Sequence, residues 1–119
     1  MTDTLHEPLK VTEPGLVFID KPSGWTSHDV VAKARRTLGT RKIGHAGTLD
    51  PLATGLLILG VNRATRLLGY ISGADKRYES LIQLGLATHS DDADGAVVSR
   101  ADASHITRDD IGRLLGAMV

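Results

Sequence analysis

The segment HAGTLDPLATGLLILG, residues 45–60, joins a loop rich in glycine, threonine and proline to a continuous apolar run. The apolar run continues to residue 61 and is too short and too uniformly apolar for a surface helix, so it predicts a buried strand. The loop before it holds one carboxylate, Asp50. Glycines on both sides let the backbone approach another molecule closely, and Pro51 restricts the conformation next to the acid. This stretch therefore predicts a buried strand, with a preorganised acidic loop leading into it.

Further strands and helices are predicted on either side of this strand. GLVFID, residues 15–20, predicts a strand that stops at the turn sequence KPSG. TSHDVVAKARRTLG, residues 26–39, predicts a helix with Ser27 as its N-cap and Gly39 just beyond its end. Residues 62–71 predict a second helix.

The C-terminal part of the chain continues this pattern. RYESLIQLG, residues 77–85, and AVVSR, residues 96–100, predict strands, and the acidic sequence THSDDADG predicts the loop between them. Residues 106–119 predict an amphipathic helix capped by Thr107, with Asp110 in its first turn. Strands interspersed with helices indicate an α+β or α/β sheet protein. The final helix has no C-cap signal, so we expect the chain to be the first part of a longer domain.

Composition excludes several classes of protein. The 119 residues contain 14 Lys and Arg against 14 Asp and Glu, so net charge neither favours nor excludes a nucleic-acid partner. Because there is no cysteine, disulfides and thiolate metal sites are excluded. No apolar run approaches the roughly 20 residues of a membrane span. Residues 1–13 are polar and do not resemble a signal peptide, so they predict a flexible tail on a cytoplasmic protein.

Two readings of Asp50 remain open from the residues alone. Asp-Pro is a common turn dipeptide, and most such side chains only bond their own backbone. A carboxylate in a preorganised loop can also act as a nucleophile towards a sugar or base carbon.

Five residues earlier, His45 is either a polar or phosphate contact or a structural histidine, and the five scattered histidines do not predict a metal site. The acidic loop does not fit calcium, because the twelfth position counted from Ser90 is Ala101 rather than glutamate.

Two basic segments suit a nucleic acid. KARRTLGTRK, residues 33–42, holds five cations, which form either a solvated helix face or a contact for a phosphate backbone. Tyr78 follows Lys76 and Arg77 and is one of four aromatic residues. It is either a partly packed tyrosine at a strand edge or a surface on which an unpaired base stacks.

Four blocks, in order along the chain, resemble the TruB family of bacterial tRNA pseudouridine-55 synthases: GLVFIDKPSGWTSHDVV, GHAGTLDPLATGLLILGVNRATRLLGY, DKRYESLIQLG and THSDDADG. The resemblance covers residues 15–119, and GTLDPLATG is its most specific part. The guide-RNA-dependent dyskerin type shares GTLDP but tends to continue differently. The resemblance implies a pseudouridine synthase fold of the α+β class, with a mixed, mainly antiparallel sheet and flanking helices.

The resemblance also implies a function and a set of site residues. Asp50 matches the catalytic aspartate that isomerises uridine 55 in the tRNA T-loop after the base is flipped out. Tyr78 matches the residue that stacks on this base, and His45 matches one that contacts the RNA. Lys21 matches a motif that supports the tyrosine side of the pocket. Asp92 matches an acid in a charge network near the catalytic aspartate. No cofactor or metal is expected, and the protein is expected to be a monomer.

The resemblance also indicates what these residues lack. Residues 14–119 match the N-terminal portion of the catalytic domain. The family's C-terminal half, its RNA-binding domain and the arginine that pairs with the catalytic aspartate have no counterpart here. We therefore expect the 119-residue chain to be inactive alone. The alternatives are a non-catalytic module that binds or remodels tRNA, a guide-RNA-dependent dyskerin-type relative, and a sugar-cleaving hydrolase that uses Asp50.

Overall fold

The structure is a computed structural model that describes residues 9–119. The chain divides into two compact units, Met1–Lys76 and Arg77–Val119, and each is described by itself. Residues 1–8 of the predicted flexible tail lie outside the described residues. Within the remainder of that tail, Val11 and Glu13 each accept a hydrogen bond from the Asn62 side chain, at 3.1 and 3.0 Å. The flexibility of the tail stays a prediction.

The first unit is a three-stranded sheet with helices. Its elements in chain order are β1 (Gly15–Lys21), α1 (Ser27–Leu38), β2 (Ile43–Ala46), β3 (Gly55–Val61), a 3-10 helix (Asn62–Leu67) and α2 (Leu68–Ile71). The strand order is β1-β3-β2, and both pairings are antiparallel. The apolar run forms the central strand of the sheet, and the predicted buried strand is confirmed.

Side chains alternate between the two faces of the sheet along β3, and this alternation sets the position of the core. Leu57, Leu59 and Val61 are buried and share one face of the strand. Val30 and Val31 of α1 pack with them in one apolar cluster, so α1 covers this face of the sheet. The chain has few aromatic residues, and an aliphatic core of this kind is the result. Because β3 leads directly out of the Asp50 loop, the loop is attached to the best-buried strand.

Glycines allow close packing on the other face of β3. Gly44 of β2 lies opposite Gly60 of β3 in the register. A Cβ at either position would come within about 3 Å of the Leu68 side chain, at 2.9 and 3.1 Å. The absence of these Cβ atoms lets α2 lie directly against the sheet. The predicted second helix over residues 62–71 is therefore present, but it begins as a 3-10 helix and is α-helical only in its last turn.

The start of α1 corrects one prediction. Its N-cap is Thr26, not Ser27: the Thr26 side chain accepts from the Asp29 backbone, and the Asp29 side chain accepts from the Thr26 backbone. This reciprocal capping box satisfies two backbone donors of the first turn. Ser27 is left free for another contact. The predicted end is confirmed, since Gly39 has the left-handed conformation (φ 65°) typical of a residue after a helix.

The second unit contains β4 (Leu86–Thr88), β5 (Val97–Arg100) and α3 (Arg108–Ala117). β4 and β5 form an antiparallel hairpin, and Thr107 and Asp110 cap α3 as predicted. The predicted strand over residues 77–85 is wrong. That segment pairs with no strand, and Leu81 is fully exposed. Its alternating pattern favours a strand, but a strand needs a partner for its backbone groups, and only residues 86–88 have one.

These elements confirm the predicted α+β class. Helices accompany the sheets in both units, and every strand pair within residues 9–119 is antiparallel. No helix within these residues is both long and apolar enough to cross a membrane.

Candidate active site

Asp50 lies in the loop of residues 47–54, which connects β2 to β3. The side chain is exposed, and its backbone carbonyl accepts a turn hydrogen bond from Ala53 at 2.9 Å. Within residues 9–119 no group donates a hydrogen bond to the Asp50 carboxylate, and no cation lies within ion-pair distance of it. A purely structural turn aspartate would use its side chain to cap the turn. Here the backbone closes the turn, and the carboxylate remains available to another molecule.

Lys21 braces the loop on the C-terminal side of Asp50. It ends β1, and its side chain is completely buried. Its ammonium group donates to three backbone carbonyl oxygens, those of Pro22 at 2.9 Å, Trp25 at 2.6 Å and Pro51 at 3.1 Å. An ammonium group has three donors, so all of them are satisfied. Gly24 donates its backbone N–H to the same Pro51 oxygen at 2.7 Å. The turn after β1 is thereby fastened to the residue next to Asp50.

Ser27 braces the same loop on the N-terminal side of Asp50. The buried hydroxyl of Ser27 accepts from the Leu49 backbone N–H at 3.2 Å. Leu49 also packs against the apolar core. The sequence reading missed this contact because it assigned Ser27 to the helix cap. Residues 49 and 51 are therefore both held, and the backbone of Asp50 between them has little freedom to move.

His45 lies on β2, two residues before the loop. It is half-buried, and its Nδ1 lies 3.1 Å from the Gly47 carbonyl oxygen. A carbonyl only accepts, so Nδ1 is the donor and Nε2 remains the free ring nitrogen. The exposed ring of His28 packs edge-on against His45, with 5.4 Å between ring centroids. Sequence reasoning did not single out His28; its position at the start of a helix carries no local sign of this contact.

Lys76 supplies a cation beside the loop. A Cβ at Gly47 would lie 2.5 Å from the Lys76 Nζ, so the ammonium group occupies the space that a side chain there would take. Gly47 has a φ of 72°, which also favours glycine. The loop therefore offers a carboxylate, an imidazole and a cation within one unit. Lys21, His45 and Asp50 are brought together there.

Tyr78 and Asp92 belong to the second unit. Tyr78 is 64% exposed, in the segment that pairs with no strand. Asp92 accepts hydrogen bonds from the Ser90 hydroxyl at 2.6 Å and from the backbone of Asp94 and Gly95 at 3.0 and 3.1 Å. The Ser90 hydroxyl and these backbone donors lower the pKa of Asp92. Asp92 thus shapes the loop between β4 and β5, and its expected place in a charge network stays a prediction.

The chemistry available at the loop is that of an exposed carboxylate whose flanking backbone is held in position. Such a group can attack an electrophilic carbon or accept a proton. Within residues 9–119, no three His, Asp or Glu side chains come together in an arrangement that could hold a metal ion.

Comparison with known proteins shows the family to which the chain belongs. Residues 35–119 match the family described as TruB family pseudouridylate synthase (N terminal domain). The match includes β2, the Asp50 loop and β3, together with the whole of the second unit. The chain belongs to the TruB family, and the resemblance seen in the sequence is confirmed.

Two curated relatives with the same name are similar to this chain. The chain is 62% identical over 95 residues to a protein of Paenarthrobacter aurescens named tRNA pseudouridine synthase B. That alignment covers 80% of this chain and 30% of the relative. A Mycobacterium avium protein of the same name is 54% identical over 108 residues, covering 91% of this chain and 35% of the relative. The chain spans about a third of the length of these relatives.

Proposed function

We propose that this chain is part of an enzyme that isomerises uridine 55 in the T-loop of tRNA to pseudouridine, with Asp50 as its catalytic residue. The observation that carries the proposal is the Asp50 loop: the carboxylate is exposed and unpaired within the described residues, while hydrogen bonds hold Leu49 and Pro51 on either side. The name that the relatives share supports tRNA as the substrate and pseudouridine as the product.

The reaction rearranges one nucleoside without a net change of atoms. The bond between N1 of uracil and C1′ of the ribose breaks, the base rotates, and a bond from C5 to C1′ forms. The hydrogen on C5 is lost to solvent and N1 gains a proton. A carboxylate assists such a step as a nucleophile or as a proton acceptor. A fixed backbone on both sides of Asp50 would reduce the ordering cost of placing its carboxylate at the moment of reaction.

The other site residues are assigned by their chemistry. Tyr78 would stack on the flipped base, because its ring is exposed. His45 would donate or accept at Nε2 towards the RNA, because Nδ1 is already bonded to Gly47. Lys21 would act only as a positioning residue, because the buried ammonium spends its three donors on backbone oxygens. The proposed enzyme needs no cofactor, acts as a monomer and works in the cytoplasm.

Tritium release from C5-labelled uridine in a tRNA transcript tests the proposal. Three proteins are compared: the 119-residue chain, the same chain joined to the remainder of the Paenarthrobacter aurescens relative, and that joined protein with Asp50→Ala. We expect release by the joined protein and none by the other two. The matched control is the joined protein with Asp109→Ala, which removes an exposed carboxylate from α3. Its tritium release should equal that of the unsubstituted joined protein.

The remaining outcomes separate the alternatives. Undiminished release with Asp50→Ala would show that the chemistry lies elsewhere. Tight tRNA binding without release by any protein would favour a non-catalytic module. Free uracil in the supernatant would mark a hydrolase that cuts the glycosidic bond without rejoining it.

A further inference from the structure

The chain has zero net charge, but its two units carry net charges of opposite sign. Residues 1–76 contain ten Lys and Arg but seven Asp and Glu, a balance of +3. Residues 77–119 contain four Lys and Arg and seven Asp and Glu, a balance of −3. The first unit therefore has an excess of positive charge that the whole-chain balance does not indicate. Such an excess attracts polyanions when it is concentrated on one surface.

Part of this charge is concentrated in one place. Arg35 and Arg36 near the end of α1, together with Arg41 before β2, line a shallow hollow with Ala32. We call this surface the arginine hollow. The Arg35 guanidinium donates to the Ile43 carbonyl at 3.1 Å, which ties it to the first residue of β2. At least one of the three cations is thus held in place before any ligand arrives.

No carboxylate of residues 9–119 forms an ion pair with the arginine hollow. Within residues 9–119 the ion pairs are Arg77–Glu79 and Arg113–Asp110, and none involves the three arginines of the hollow. Cations near the C-terminal end of a helix also interact favourably with the helix dipole. That interaction alone does not explain why three arginines line one hollow. Guanidinium groups match the oxygens of a phosphate in pairs. The hollow therefore has the chemistry of a phosphodiester contact.

The hollow is separated from the Asp50 loop. Ser27 at the start of α1 touches Leu49 of the loop, whereas Arg36 is nine residues further along the helix. At about 1.5 Å per residue, this amounts to roughly 14 Å along α1. This separation places Arg36 towards the opposite end of α1 from the residue that contacts the Asp50 loop. A phosphate in the hollow would belong to a different part of the RNA from the nucleotide at Asp50.

We propose that the arginine hollow binds phosphates of the tRNA backbone away from the modified uridine. This rests on the proposed function, because it takes the polyanion to be the same RNA. The hollow would contribute to affinity without reading sequence, and it would leave the chemistry at Asp50 to the loop.

Fluorescence anisotropy with a labelled tRNA transcript, repeated over a range of salt concentrations, tests the proposal on the 119-residue chain. In Arg36→Gln/Arg41→Gln, two phosphate contacts are lost, so the plot of log affinity against log salt should become shallower by about 1.4 to 1.8. Arg35 is kept because it bonds to Ile43. Arg36→Lys/Arg41→Lys retains the charges and should restore most of the slope. Arg100→Gln/Arg108→Gln removes the same charge from the second unit and should leave the slope close to that of the wild type.

Several results would overturn the proposal. These are a wild type that does not bind the transcript, an unchanged slope in Arg36→Gln/Arg41→Gln, and equal losses in the control pair, which would indicate a simple net-charge effect. Binding to phosphatidylserine vesicles but not to RNA would assign the hollow to a membrane surface. Isomerisation is measured separately by tritium release. A salt slope that depends on the arginines, together with no tritium release by the joined protein, would support the phosphate-binding role of the hollow and contradict the proposed isomerase activity.

Discussion

Lys21 and Asp50 are both charged, but the protein surrounds them in opposite ways. Lys21 is buried with its three donors satisfied, and Asp50 is exposed with no partner within the described residues. Charged groups are buried only where polar partners compensate for the lost water. The lysine therefore serves the structure of the loop, and the exposed aspartate is the candidate for chemistry. Side-chain type alone does not make this distinction, because both residues occur in turn sequences.

Replacing Lys21 with methionine should destabilise the chain. Methionine keeps an unbranched chain of similar length but leaves the carbonyls of Pro22, Trp25 and Pro51 without their shared donor. We expect the free energy of unfolding to fall by about 2–3 kcal/mol. Urea unfolding followed by circular dichroism measures it. Lys33→Met, at an exposed position on α1, is the matched control and should change stability by less than about 0.5 kcal/mol. Equal stability of the two variants would show that the buried lysine is not a brace.

At the scale of elements, the capping box of α1 determines where the Ser27 hydroxyl lies relative to the Asp50 loop. Thr26 and Asp29 end the chain's extended path and begin the helix, which places Ser27 in the first turn with its hydroxyl towards Leu49. The local signal for a helix start was correct to within one residue. That one-residue difference decides whether Ser27 caps the helix or holds the loop.

The capping box should make the stability of the helix depend on pH in the acid range. Hydrogen bonds from the backbone and side chain of Thr26 lower the pKa of Asp29 below its usual 3.8. A lowered folded-state pKa contributes stability that is present above about pH 4 and is lost as pH falls through the folded value. We expect Asp29→Asn to be less stable than wild type at pH 7 and to lose less stability between pH 4 and the acid limit.

Thermal melts followed by circular dichroism at several pH values measure this effect. Thr26→Ser keeps a hydroxyl acceptor and should keep the acid dependence, whereas Thr26→Ala should weaken it. Identical pH profiles for wild type and Asp29→Asn would show that the carboxylate contributes nothing to the cap.

At the scale of the whole molecule, burial is divided as unevenly as charge. Every buried residue within residues 9–119 lies in the first unit, and none lies in residues 77–119. The second unit depends on a three-residue strand, a four-residue strand and capped α3, all of which leave apolar side chains exposed. Local stability follows apolar burial, so the two units should differ in how often they open.

Amide hydrogen exchange measured by NMR on the 119-residue chain checks this difference. We expect the amides of β3 and α1 to exchange most slowly and those of β4 and β5 to exchange at least about tenfold faster. Equal protection of Leu59 and Ser99 would contradict the expectation and show that the hairpin is stabilised by more than its own packing.

The sequence by itself determined the elements whose signals are local. The apolar run of β3, the cap residues of α3 and Gly39 after α1 lie within a few residues of the features that they specify. The family resemblance was equally local, since GTLDPLATG is one continuous block. Tertiary structure decided the elements that need a distant partner. β2 forms because it pairs with β3, and residues 77–85 form no strand because they have no partner.

The same division holds for the site. Asp50 and His45 were proposed as site residues from the composition of one segment and from the family resemblance. The bonds from Lys21 to Pro51 and from Leu49 to Ser27 join residues 30 and 22 positions apart, and no periodic pattern encodes such contacts. They form only when the core brings β1, α1 and β3 together. The candidate acid could therefore be named from the sequence, whereas the bonds that hold its loop depend on packing between elements distant along the chain.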